Sequence, residues 1–111
     1  METKLYGEID KVTLFRMMQG TDNTNLKDLE DSTRFDVEAA ALTDDKDDPD
    51  GKMVLFFVTD KGMISTTSPT AIKTYLTAVD FFDTHKLILV KISGKSKGGR
   101  SYVNLDIAGV I

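Results

Sequence analysis

Two strand-like runs face one another across an acidic reversal, and no other stretch of the chain limits its fold so tightly. Residues 33–42 alternate, with Phe35, Val37, Ala39 and Ala41 on one side and Arg34, Asp36 and Glu38 on the other. That period of two belongs to a half-buried strand. Residues 43–51, TDDKDDPDG, end in a Pro-Asp-Gly reversal signal, whose residues pre-set the dihedrals of a turn. Residues 53–59, MVLFFVT, are apolar at both parities. Such a strand is buried on both faces, so one face meets the core and the other a helix, a partner or a ligand. Alternation alone does not decide which of Phe56 and Phe57 points inward.

Upstream, residues 4–18 read as one long first strand with a bend. Leu5, Gly7 and Ile9 share a side, and Val12 and Leu14 resume after a slip of one residue, as at a β-bulge, with Gly7 the cheap place to bend. Residues 20–32, GTDNTNLKDLEDS, form a long polar loop with room for a short helical turn. Downstream, Asp60-Lys61-Gly62 is a turn, and Met63-Ile64-Ser65 is a short strand or an extended lead-in. Ser68-Pro69 then opens a helix, because Ser caps free backbone amides and Pro at the first helical position sacrifices no hydrogen bond. Ile72, Tyr75, Leu76, Val79 and Phe82 give it an apolar stripe ending near Asp83. Residues 87–92 make a fourth strand and residues 101–107 a fifth. In the fifth, Val103, Leu105 and Ile107 lie opposite Tyr102, Asn104 and Asp106.

With 111 residues the chain has material for one domain and one core. It contains no cysteine, which removes disulfides, thiolate metal sites and cysteine nucleophiles and fits a reducing cytoplasm. The N-terminus lacks the order of a signal peptide, and no run approaches the ~18 apolar residues of a membrane helix. The single histidine, His85, is too little for the usual triads and zinc sites. The expectation is therefore a cytoplasmic, non-enzymatic protein without cofactor, metal or membrane contact. His85, just past the helix end and near Asp83, reads as a capping or surface residue.

The net charge of −4 conceals two opposite halves. Residues 1–83 hold seventeen acids and nine bases, whereas residues 84–111 hold one acid and five bases. This asymmetry points to the C-terminal segment as the part that meets a negatively charged partner. There, Lys91, Lys95, Lys97 and Arg100 fall close together around Gly94, Gly98 and Gly99, and a flexible basic loop suits a phosphate backbone because neutralised phosphates release counterions. Tyr102 projects beside them, and an aromatic ring among cations is what unstacked bases require. Tyr6, Phe15, Arg16 and Arg34 on the early strands are further candidate contacts.

Three strands, one helix and two strands is the plan of the OB-fold, a five-stranded Greek-key barrel with its helix between strands 3 and 4. In this order of elements the chain resembles the OB-fold single-stranded DNA-binding proteins of the compact phage or mobile-element kind. The resemblance implies a largely sequence-independent grip on single-stranded DNA, with RNA as the alternative strand, in a process such as DNA replication. It also implies that the loop joining strands 4 and 5 closes over the bound strand. The runner-up fold is a small α+β sheet domain with one covering helix.

Two motifs fail on spacing. Reading Gly51 as the glycine of an EF-hand puts Lys46 at the first ligand position and Phe57 where a Glu is needed. The acidic residues 44–50 therefore read as a solvated tip that repels nucleic acid or meets a basic partner. Ser93-Gly94-Lys95-Ser96 has Leu89 where a P-loop needs its earlier glycine, and it leads into a strand. A second function class remains: an assembly module that forms a homodimer or docks on a partner protein through strand edges and the acidic surface, with no nucleic acid bound.

Overall fold

The computed structural model describes residues 3–20, 23–44, 50–95 and 97–111. The acidic run 45–49 and Ser96 lie outside the described residues. Among those described there are seven strands and two α-helices: β1 (Thr3–Tyr6), α1 (Lys11–Gln19), β2 (Asn23–Asn25), β3 (Arg34–Asp44), β4 (Met53–Thr59), β5 (Gly62–Thr66), α2 (Pro69–Phe82), β6 (Leu87–Lys95) and β7 (Ser101–Val110). A 3₁₀ turn, Leu26–Asp28, follows β2. The protein is mainly β, as expected, but five strands and one helix are corrected to seven and two.

The added helix falls in residues 4–18, which are a short strand and a helix, not one bent strand; the added strands are β2, inside the expected polar loop, and β5, the expected short strand or lead-in. Gly7 turns the chain with φ +88°. Asp10 then caps α1, its carboxylate accepting from the Thr13 N–H at 2.8 Å and the Thr13 hydroxyl at 2.9 Å. Gly20, at φ +70°, closes the helix by donating to the Arg16 and Met17 carbonyls, a left-handed ending that glycine adopts without strain. The apparent slip between Ile9 and Val12 marks this passage from extended chain to helix.

The strands form one sheet in the order β2-β5-β4-β3-β6-β7, with β1 also on β3. β2 and β5 are parallel, and the remaining pairs are antiparallel. β3 organises the sheet. One of its edges meets β4 from Val37 to Asp44, while the other meets β6 through residues 34–36 and β1 through residues 40–43. A register shift between Val37 and Ala39 interrupts the ladder with β4, and such a bulge raises local twist. The sheet curls into a half-barrel.

The doubly apolar β4 is covered on both faces. Leu55 and Phe57 join Phe35, Tyr75 and Ile72 in the main core beneath α2, whereas Phe56 packs with Met17 and Ala41 beneath α1. Both phenylalanines are therefore buried. The Tyr75 ring stands edge-on to Phe57 at 5.0 Å, and its hydroxyl donates to the His85 carbonyl at 2.9 Å. Burial pushes the Tyr75 phenol well above its ordinary pKa, so it stays neutral. The Ser68 hydroxyl caps α2 by accepting from the Ala71 N–H, and it donates to the Val103 carbonyl at 2.8 Å. One side chain thus starts the helix and pins β7; loss of such a cap costs about 1 kcal/mol.

Candidate nucleic-acid interface

The antiparallel register of β6 and β7 sets Gly94 opposite Tyr102 and Lys95 opposite Ser101. Because residue 94 has no side chain, the Tyr102 ring lies over its backbone. A Cβ there would stand 2.5 Å from the ring's Cζ and hydroxyl oxygen. Tyr102 remains 41% exposed. The ring is thus held on one side and open on the other, which removes much of the ordering cost a mobile side chain would incur on binding.

Around it opens a cleft of about 440 Å³ lined by Lys27, Ser93, Gly94, Lys95, Ser101, Tyr102 and Val103. Its charged lining is two lysines and no carboxylate. Lys27 was not legible as a site residue in the sequence. It comes from the 3₁₀ turn, where the Asn25 side chain accepts from the Lys27 N–H at 3.2 Å. Asn-Leu-Lys-Asp is a local turn signal, but nothing in it announces a neighbour almost seventy residues further on.

What fastens that turn's loop to the hairpin is Lys91. Its ammonium donates to the Leu29 carbonyl and to the Asp31 carboxylate, each at 2.7 Å, and its side chain is 6% exposed. Ser93 adds a hydroxyl to the same Asp31 oxygen at 2.7 Å. Main-chain bonds from Ser32 N–H to Lys91 O and from Lys91 N–H to Thr33 O complete the seam. Hydrogen bonds from Lys91 and Ser93 hold the Asp31 carboxyl below its ordinary pKa. Lys91, expected on the phosphate-facing surface, is instead an internal cation with protein partners.

Lys95, Lys97 and Arg100 are exposed at the hairpin end, where Gly99 takes φ +80°. The early-strand candidates lie elsewhere. Phe15 and Arg16 are exposed on α1. Tyr6 is half-buried, its ring 6.0 Å from Tyr75 and 5.3 Å from the Lys4 ammonium. Arg34 is exposed at the start of β3, and its carbonyl accepts from the Lys61 ammonium. None of the four lines the Tyr102 cleft. His85 stacks its imidazole against Gly7, where a Cβ would approach Nε2 to 2.6 Å.

Among the described residues no three histidine, aspartate or glutamate side chains converge as a cation site, and no helix is long and apolar enough to cross a membrane. No protein-family model, curated protein or solved structure matches the chain.

Proposed function

We propose that this protein binds single-stranded DNA, largely without regard to sequence and without catalysing a reaction. The observation that carries the reading is the half-exposed Tyr102 ring, seated on Gly94 within a cleft whose charges are Lys27 and Lys95. An unstacked base lies on the open face of the ring while the lysines meet the flanking phosphates, the combination by which proteins hold single strands. Lys97 and Arg100 extend the positive track along the hairpin. A duplex keeps its bases stacked inside the helix, so Tyr102 has nothing to stack on there.

Fluorescence anisotropy of a labelled single-stranded oligonucleotide, with duplex and RNA of the same sequence as competitors, tests this. Single strands release roughly 0.7 counterions per neutralised phosphate. Four cationic contacts therefore give a slope of log affinity against log salt of about −3. Replacing Lys27, Lys95, Lys97 and Arg100 together by alanine is expected to flatten that slope and abolish binding at moderate salt. Equal affinity for duplex, or a quadruple variant that binds as the parent does, overturns the assignment.

A further inference from the structure

Half of the six phenylalanines are buried, Phe35, Phe56 and Phe57, while Phe15, Phe81 and Phe82 face solvent. The exposed three form two patches on opposite sides of the sheet. On α1, Val12 and Phe15 are one helical turn apart, 62% and 63% exposed, and the helix carries Lys11 and Arg16 with no acid between residues 11 and 19. The nearest carboxylate in sequence, Asp10, caps the helix through Thr13 and also feels the charge of Arg16, leaving Lys11 and Arg16 in excess over it. At the end of α2, Phe81 is 79% exposed and stacks edge-on against Phe82 at 5.0 Å. Asp80 and Asp83 flank that pair, and the last turn contains no basic residue, so the helix terminus adds to a negative pole.

We infer that the α1 patch of one copy docks on the α2 patch of a second copy. Both patches are aromatic and exposed, and they have opposite charge: Lys11 and Arg16 on one, Asp80, Asp83 and the helix terminus on the other. Within one copy they cannot meet, because α1 packs on Phe56 and α2 on Phe57, neighbours on β4 that point to opposite faces. A contact between two different patches of the same chain is heterologous, so each copy retains a free patch of either kind and the assembly grows head to tail into a ring or a filament. Opposite charges set the register and exclude pairing of like patches, since like charges in apposition are costly. The inference is independent of the strand-binding reading and is tested with no oligonucleotide present.

Sedimentation velocity of the full chain, from low micromolar to near-millimolar concentration and at low and high salt, reads the association. The wild type is expected to form species larger than a monomer that recede as salt rises. Phe15→Glu and Phe81→Lys, each at a solvent-facing position, are each expected to be monomeric alone. Mixed in equal amounts they are expected to form a one-to-one dimer, through the intact α2 patch of the first and the intact α1 patch of the second. Should either variant fold poorly by circular dichroism, Val12→Glu and Asp80→Lys form the substitute pair. A wild type that stays monomeric, a single variant that associates as the wild type does, or a mixture that yields no dimer overturns the inference.

Discussion

The ring of Tyr102 rests on the backbone of Gly94, its cross-strand partner, in space that any side chain on residue 94 would occupy. Gly94 does not need glycine for its dihedrals, since it is not among the glycines with positive φ; it needs glycine for the ring. Gly94→Val is therefore expected to leave thermal stability close to that of the parent while lifting the ring out of its seat. Stacking of a base on an aromatic ring is worth about 1–3 kcal/mol, so oligonucleotide affinity is expected to fall roughly tenfold. Tyr102→Ala is expected to match it, and the double variant to be no worse than either single one. Additive losses in that cycle would mean that Gly94 does not act through the ring.

The seam between Lys91 and Asp31 has a pH signature. Its hydrogen bonds hold the folded Asp31 carboxyl below its ordinary value of 3.8, so the unfolded chain takes up this proton more readily than the folded one. The stabilisation is complete above 3.8 and is lost as pH falls through the lower, folded value. Asp31→Asn is expected to unfold at lower urea than the parent at neutral pH, with the gap closing as the medium is acidified below 3.8. A gap that stays constant across that range would show that the carboxylate charge contributes nothing to the seam.

Most of the sheet was legible because burial writes a period into sequence. β4 begins at Met53 and ends at Thr59 as read, and Ser68-Pro69 fixes the start of α2 through cap chemistry that is local. The first eighteen residues misled because Leu5, Gly7 and Ile9 alternate while the helix signals beside them, Asp10 with Thr13 and the closing Gly20, are polar and sparse. In the site, Lys95 and Tyr102 were recognisable as hairpin residues. Lys91 was not separable from them, because an internal cation and a surface one look alike until Asp31, sixty residues upstream, is brought to it by the fold. Lys27 arrived by the same long-range closure.

Asp83 ends α2 in the left-handed region, at φ +54°. A β-carbon is disfavoured there by about 1 kcal/mol, and a carboxylate at a helix C-terminus opposes the macrodipole. Asp83→Gly is expected to stabilise the protein, raising the melting temperature by about 4 °C. Calorimetry measures it, and Asp83→Asn, which tolerates this conformation better than most residues, should recover part of the gain. Since Asp83 also flanks Phe81 and Phe82, the scan belongs at a dilution where the protein is monomeric.

β7 stands at the end of the strand order, and its open edge is guarded by its own side chains. Lys91 turns its main-chain N–H and C=O toward the Ser32 and Thr33 backbone, so Leu105, which faces Lys91 in the register, directs its own away from β6, and so does Ile107 two residues on. The N–H groups on that edge are taken up locally: Asn104 Oδ1 accepts from Leu105 at 2.7 Å and Asp106 Oδ1 from Ile107 at 2.9 Å. On the same edge the Val103 carbonyl is occupied by Ser68. An unguarded edge templates pairing with another strand. Asp106→Val removes both an acceptor and a charge from it. The Ile107 amide is then expected to exchange with solvent roughly fivefold faster in the monomer, the loss of one modest hydrogen bond. At higher concentration the variant is expected to form β-rich aggregates that bind thioflavin, whereas Asp106→Asn, which keeps an acceptor oxygen, stays soluble. Asp106→Val with unchanged Ile107 exchange and no added aggregation would show that the edge is protected by the curl of the sheet and not by these side chains.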